Sequence, residues 1–515
     1  MAFEGLIEKI FSSEARNPSE RITRDDWISA KDNKDKAERT EAQRLVDWYN
    51  RNTTEIVKHL KDQAKRTFKS SEIESWHWPV INSVARIIKR ISMTYKSPPK
   101  RYLKRNGERL DPKKEEKLYD AVFGDQGMYR NIDLIKKFKE LENWAKLLNT
   151  IHFEIVPRNG AIDWDIRLRP GTMVIEDPLD YLSFVKFAYR WEPVNPVTLE
   201  PEKGWVIWDE EQHVFQLDSG YRIGMSEEDG RNPYQGMIPI VTVRMLEQDE
   251  YWGKYAADLV DSVQAFHVQL ANMWENALLQ THGQPIAINL GFKTGDNILI
   301  GPRHPISVEN VTADDVMPAL VFAKPDSDLD KVTAMLQFFQ EATANSYGMP
   351  KGSWSMEEVP ESGFAKAMNN LELLENRDDD ALQWKRIEEE AFVKSRIVYN
   401  EYGDGEKIPE DIELEVEFEP VSFPESPTEE VTRITLEIKN DLNSRVRYFM
   451  EKYDITHDEA QELADEIAEE NQAERDAKKP EGFDEFFGGD KKPGEEEEEE
   501  EEKQGDEEEE EEIEE

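Results

Sequence analysis

Nucleophilic, acid–base and metal chemistry each need particular side chains at particular spacings, and this 515-residue chain offers few of them. It has no cysteine, which excludes thiolate nucleophiles, disulfides and thiolate metal sites. Its histidines are His59, His77, His152, His213, His267, His282, His304 and His457, and no two are spaced H-x-x-x-H. His267 falls beside the apolar stripe of an expected helix, where a packing role is the simpler reading. Asp378, Asp379 and Asp380 are consecutive, but successive helical residues point about 100° apart and do not converge on one cation. No G-x-S-x-G or S-x-x-K stands in a strand–turn–helix context, and there is no phosphate-cradling G-x-x-x-x-G-K-[ST] loop. The expectation is a protein that is not an enzyme and holds no cofactor or metal.

Charge narrows the partners. The formal charge is −46, and from Gly494 onward 17 acids stand against one lysine, which leaves −30 for the rest of the chain. So acidic a body repels phosphate and cannot gain the counterion release that drives ordinary DNA binding. Nucleic acid is then either no partner or one that must pass without sticking. The densest basic stretch holds Arg86, Lys89, Arg90, Lys100, Arg101, Lys104 and Arg105. Two readings are open for it: a face paired with acidic neighbours, or a contact with DNA or an adjoining subunit. The N-terminus carries Glu4, Glu8 and Lys9 among its apolar residues, unlike a secretion signal. No run of about 18 apolar residues occurs, so a soluble protein without membrane spans is expected.

The elements that would position any site follow from periodicity. Residues 1–150 read as mainly helical, with Val80, Ile81, Val84, Ile87, Ile88 and Ile91 on one face, stopped by Pro98 and Pro99. From 151 to about 244 the period becomes two, and IHFEIVP, DWDIRLRP, TMVIE, SFVKFAYRW, GWVIW, HVFQL and IPIVTVR predict an antiparallel sheet. Trp191, Trp205 and Trp208 fit its core or faces. Residues 253–280 predict an unbroken helical rod of roughly 40 Å, carrying Leu259, Val263, Phe266, Leu270 and Trp274 in its stripe. A Gly/Pro-broken stretch follows, with strand-like PIAINL, NILIG and ALVFA. A second rod is expected over 327–347, opened by Ser327-Asp-Leu-Asp and carrying Leu329, Val332, Leu336, Phe339 and Thr343. Beyond a loop at 348–363, a helix of roughly 60 Å is expected over 364–402. A kink or break in direction is expected in it at Asp378–Asp380, because aspartate is a poor helix former and the apolar stripe shifts there. IELEVEF (412–418) alternates as a strand and is expected to rejoin the earlier sheet. Pro420, Pro424 and Pro427 mark a linker, residues 428–475 return to helix with a capping box at Thr456–Glu459, and the acidic end cannot bury a core.

The order of these elements resembles the portal proteins, or head–tail connectors, of tailed bacteriophages, particularly the siphophage kind. Two stretches carry the likeness locally: VARIIKRISMTYKSPPKRY, and SYGMPKGSW followed by ESGFAKAMNNLELLENRDDD. The resemblance implies an α+β portal fold. Its parts would be a wing (1–248), a first stem helix (249–280), a clip (281–325), a second stem helix (326–347), a tunnel loop (348–363), a long kinked helix with its return strand (364–427), a crown (428–478) and an acidic tail (479–515). The tail has no counterpart in the family pattern. The resemblance further implies a ring, usually of twelve copies, at one vertex of the virion capsid, assembled in the host cytoplasm. Its partners would be itself, double-stranded DNA passing in packaging and ejection, the terminase large subunit, head-completion adaptors, and the major capsid and scaffolding proteins.

On that reading Trp354, Met356, Glu357, Glu358 and Val359 would form a collar in the tunnel loop, against the alternative of an ordinary surface loop. Lys254 and Lys331 would steady DNA as sparse basic rings. Lys293, Asp296, Asn297, Arg303 and His304 would be the docking residues of the clip. Asp249, Glu250, Asp258, Asp261, Glu275, Asp326, Asp328, Asp330 and Glu341 would either line the channel or face solvent outside it. The alternative from another class is an acidic nucleic-acid mimic or histone-chaperone-like binding protein, which has no need of two rods and a tip.

Overall fold

The computed structural model describes residues 26–194, 200–218, 222–225, 230–246, 250–288, 306–308, 318–323, 329–349, 370–419, 427–440, 443–453 and 456–477. It is mixed helix and sheet, 50% helical and 22% strand, an α+β chain. Residues Met1–Pro424 and Glu425–Glu515 form two separate units.

The first unit opens with helices α1 (Asp26–Asn50), α2 (Thr53–Ala64), α3 (Ser70–Ile73) and α4 (Ser83–Ile91). The Asn82 side chain caps α4 by accepting from the Ala85 N–H at 3.0 Å. Val84, Ile87, Ile88 and Ile91 are buried as the periodicity requires, whereas Ile81, just before the cap, is exposed. Strands β1 (Lys100–Arg105) and β2 (Glu108–Arg109) form a hairpin, followed by α5 (Glu116–Phe123) and α6 (Leu134–Leu148).

Alternation then builds strands β3 (Thr150–Arg158), β4 (Ala161–Arg167), β5 (Thr172–Glu176), β6 (Phe184–Trp191), β7 (Gly204–Trp208), β8 (His213–Leu217), β9 (Arg222–Gly224) and β10 (Ile240–Arg244). All their ladders are antiparallel, but they divide into two sheets, ordered β10-β3-β4 and β5-β6-β7-β8-β9. A 3-10 turn at Arg169–Gly171 separates them, and Pro170 within it has no N–H to continue a ladder. Trp205 and Trp208 are buried in the second sheet and Trp191 is half-buried.

Helix α7 (Ala257–His282), strands β11 (Gln284–Ile288), β12 (Ile306–Val308) and β13 (Ala319–Ala323), and helix α8 (Leu329–Asn345) come next. The expected start of the first rod at Gly253 is four residues early. Tyr251, Trp252 and Gly253 are instead buried in a non-helical approach.

Two expectations are corrected in the remainder of the unit. Helix α9 (Leu371–Tyr402) runs through Asp378–Asp380 without a break. Low intrinsic propensity is outweighed because Asp380 faces inward onto Lys146, while Trp384, Ile387, Ala391 and Phe392 seat the helix in the core. Strand β14 (Ile412–Glu417) does not rejoin the 150–244 strands; it pairs with β1, placing Leu103 opposite Leu414 and Lys104 opposite Glu413. Leu103, Ile412, Leu414 and Val416 are buried on one face. On the other, Lys100–Glu419 (2.5 Å), Lys104–Glu415 (3.2 Å) and Arg109–Glu415 (2.5 Å) match a basic strand to an acidic one, and Arg105–Asp411 (3.0 Å) adds a pair at the strand end. Hydrogen bonding from Arg109, helped by Lys104, holds the Glu415 carboxyl down at about 2. This half of the basic stretch is therefore committed to acids of its own chain.

An aromatic nest ties the layers together. Phe138 of α6 stacks on Tyr95 at 5.1 Å and meets Trp164 of β4 edge-on at 5.0 Å, while Trp384 of α9 stands edge-on to Tyr95 at 5.4 Å.

The second unit contains α10 (Pro427–Lys439), α11 (Arg445–Tyr453) and α12 (His457–Ala477). Half of the expected capping box is present, the glutamate side chain reaching back to the start of the helix. Glu459 accepts from the Thr456 N–H at 2.9 Å and from its hydroxyl at 2.8 Å, which lowers the Glu459 pKa. Thr456→Ala is expected to fray the first turn of α12. Amide exchange at residues 457–460 should accelerate without moving the main unfolding transition of residues 26–419, and unchanged exchange would remove the cap's role. Residues 479–515, read as disordered from composition, lie outside the described residues.

Candidate functional site

Helix α7 has 26 residues, about 39 Å of rod. It stops at Gly283, whose φ of +73° is the left-handed conformation that glycine adopts without a Cβ clash. The chain then enters β11, which pairs antiparallel with β13 (Gln284 opposite Ala323, Ile288 opposite Ala319) and parallel with β12. Strand β12 is too short to show alternation in the sequence, and NILIG (297–301) lies outside the described residues. The β11–β13 register brings the end of α7 beside the start of α8, so α8 returns along α7. Their packing includes the Thr333 hydroxyl against the Met273 sulfur at 3.8 Å. Two rods therefore bracket a small three-stranded tip.

The root of this hairpin is fixed from several directions. Along α7, Arg44 of α1 pairs with Asp261 at 2.8 Å and hydrogen-bonds Gln264. His267 is buried; its Nδ1 hydrogen-bonds the Val263 carbonyl at 2.6 Å and its Nε2 accepts from the Ile81 N–H at 2.9 Å. That geometry assigns the neutral imidazole with its proton on Nδ1, and burial lowers the His267 pKa in the same direction. Packing, with the ring edge-on to Trp48 at 5.1 Å, is what this histidine does.

A polar chain joins both rod bases to α9. Asp380 pairs with Lys146 of α6 at 2.7 Å, both almost entirely buried. Lys146 lies 5.0 Å from the ring of Tyr255, just before α7. Tyr347, just after α8, donates its hydroxyl hydrogen to Asp258 at 2.5 Å. Burial raises the Asp380 pKa, and Lys146 offsets part of the rise. Beside this pair, Glu142 is fully buried and accepts from the Thr94 N–H at 2.9 Å. Burial pushes Glu142 up to about 7 against the lowering effect of that hydrogen bond.

A raised acid binds its proton more tightly in the folded chain. The stability it contributes is therefore fully present below the unfolded value of 4.5 and is lost as pH rises through about 7. The native chain should lose about 3 kcal/mol over that window relative to Glu142→Gln, which keeps the acceptor and cannot titrate. Chemical denaturation at both pH values measures the difference, and parallel pH profiles would refute the assignment.

The faces of the rods differ. Helix α7 buries one face through Ala271, with Leu259, Val260, Val263, His267 and Val268 turned inward, and its described residues beyond Ala271 are half-buried or exposed, Trp274 among the exposed ones. On α8, Leu336 and Ala344 turn inward, while Met335, Phe338 and Phe339 are exposed, Phe338 at 68%. Their i, i+3, i+4 spacing makes a second apolar stripe, which a helix burying only one face does not need. The tip adds exposed Leu320, Val321 and Phe322. A groove of about 210 Å³ runs beside the stripe, lined by Leu259, Ser262, Phe338, Phe339, Ala342 and Tyr347 among others.

Of the acids assigned to these rods, Asp258, Asp261 and Glu275 engage Tyr347, Arg44 and the His77 N–H, whereas Asp330 and Glu341 are exposed. Lys254 and Lys331 are exposed and stand at opposite ends of the hairpin. Lys254 lies at the root beside Glu38, Glu41 and Trp252, and Lys331 is near the tip. Asp249, Asp326, Asp328, Trp354, Met356, Glu357, Glu358, Val359, Lys293, Asp296, Asn297, Arg303 and His304 lie outside the described residues. No sequence signal marked Lys146, Asp380 and Glu142 as neighbours, because Lys146 and Asp380 stand 234 residues apart.

No protein-family model matches the chain, and no curated protein matches it. Among solved structures it is similar to a chain of the virion of a native gene transfer agent particle, with 13% identity and a TM-score of 0.34, covering 70% of this chain and 85% of that one. A chain from the neck of an empty gene transfer agent particle computed with C6 symmetry has 13% identity and a TM-score of 0.36, covering 71% and 88%. A chain from the neck of the native particle computed with C12 symmetry has 14% identity and a TM-score of 0.35, covering 74% and 88%. No helix among the described residues is long and apolar enough to cross a membrane.

Proposed function

We propose that this chain is a portal subunit, a non-enzymatic ring former whose central hole conducts double-stranded DNA into and out of a phage capsid. The observation that carries the reading is the paired-rod hairpin with an apolar stripe left open on α8. A monomer gains nothing from exposing Phe338 and Phe339, whereas a second copy seated on the stripe and groove removes them from water. A head-to-tail contact of this kind, repeated by rotation, closes a ring. The net charge of −46 suits a channel that gives phosphates no deep well in which to stop. The tip strands would be the docking end for the packaging ATPase and later for adaptors, since the chain carries no phosphate-binding loop of its own.

Negative-stain imaging of the purified protein tests the reading directly. Rings with a central hole are the expected result. Small solid particles at every concentration would overturn it and favour an acidic binding protein instead.

A further inference from the structure

A separate site lies at the joint between α1 and α2. Asp47 stands in the last turn of α1, and Glu55 and His59 share one face of α2 at i, i+4 spacing. One ligand-capable atom from each lies within 4.8 Å of the other two. Ligands about 2.1 Å from a zinc ion sit about 3.4 Å apart, so small side-chain rotations close the cluster.

The state of Asp47 is the second observation. Its carboxylate is more than nine-tenths buried, and among the described residues no lysine or arginine reaches it. Gln43 donates to Oδ1 at 3.0 Å and Asn52 at 3.4 Å, which orients the group. Oδ2 is left facing the His59 Nε2 at 3.5 Å, beyond a good hydrogen bond. A buried carboxylate held this way wants a cation, and Glu55 supplies a second negative group beside it. The competing contact of Glu55 with Lys58 at 3.1 Å is a surface pair of little strength and yields readily.

We propose that Asp47, Glu55 and His59 hold a first-row divalent transition ion, zinc being the best fit, with water completing its coordination. Two carboxylate oxygens and one imidazole nitrogen form a mixed set that favours such an ion over magnesium or calcium, which take oxygen alone. The Gln43 and Asn52 amides are the outer partners that fix the Asp47 ligand. The ion staples the end of α1 to the first two turns of α2. It thereby braces Trp48, whose carbonyl accepts from the Asn82 side chain at 2.9 Å and whose ring packs on His267 of α7.

Full-length protein stripped with a chelator and titrated calorimetrically with zinc chloride, with and without excess magnesium, provides the test. The acidic C-terminal stretch also attracts divalent ions but is identical in every variant, so the comparison is between chains. Native protein is expected to take up one tight zinc per chain that magnesium does not displace, and zinc should raise its thermal midpoint. Glu55→Gln and His59→Gln, both on half-exposed side chains, should each lose that tight step. The loss should exceed the roughly 10–100-fold seen when only an outer partner is removed. Zinc uptake and stabilisation that are the same in native and variant chains, or that magnesium abolishes, would show His59 to be a simple charge partner of Asp47 and end the proposal.

Discussion

On the portal reading, glutamate in place of Phe338 is expected to leave the chain monomeric at concentrations where the native protein assembles. Burying a phenylalanine contributes about 1.5–3 kcal/mol, and a carboxylate forced into the same apolar contact adds several kcal/mol of desolvation cost. A loss of about 3 kcal/mol lowers an association constant by roughly 100-fold. In a closed ring the same substitution weakens every contact at once. The fold itself should be untouched, because Phe338 is 68% exposed in the single chain. Light scattering after gel filtration reads the assembly state, and circular dichroism confirms the fold. Leu179→Glu provides the control: Leu179 is 97% exposed in the loop between β5 and β6 and is not part of α8, and its replacement should leave assembly as it was. Rings of native size from the Phe338 variant would remove the α8 stripe from the interface.

The second large effect concerns the root of the hairpin. Lys146→Met keeps most of the unbranched side chain but leaves Asp380 buried without a cation, and breaking such a pair costs about 3–5 kcal/mol. The unfolding midpoint in urea, followed by the fluorescence of buried tryptophans such as Trp384 and Trp164, should fall accordingly. Adding Asp380→Leu to Lys146→Met should restore most of the loss, because an apolar pair of similar volume needs no compensation there. The double variant separates a charge effect from simple loss of packing. If Lys146→Met alone unfolds within about 1 kcal/mol of native, the pair lies closer to water than its geometry implies.

Both experiments bear on features that differ in how far they can be read from one dimension. Strands β5, β7 and β8 coincide with TMVIE, GWVIW and HVFQL residue for residue, and both rods were located to within a few residues. Side-chain alternation and 3.6-residue stripes are local properties, so neighbours in sequence suffice to reveal them. The partner of β14 was misread because alternation says that a strand exists and nothing about which edge it will join. In the folded chain β14 lies on β1, where the pairing buries Leu103, Ile412, Leu414 and Val416 and matches basic side chains to acidic ones. Asp378–Asp380 stays helical for a related reason: propensity is a weak local preference, and burial against Lys146 and the aromatic nest outweighs it.

Composition and periodicity alone established an acidic α+β chain without thiol chemistry, two long rods around a β tip, and a capped helix at residue 457. Only the folded chain could decide that Lys146, Asp380, Tyr255 and Tyr347 meet at the base of those rods, that Phe338 faces outward while Leu336 faces in, and that Asp47, Glu55 and His59 converge. Periodicity lists the faces of a helix, but which face is covered depends on partners distant in sequence. The same distance hides a buried charge's counterion until the backbone brings the two together.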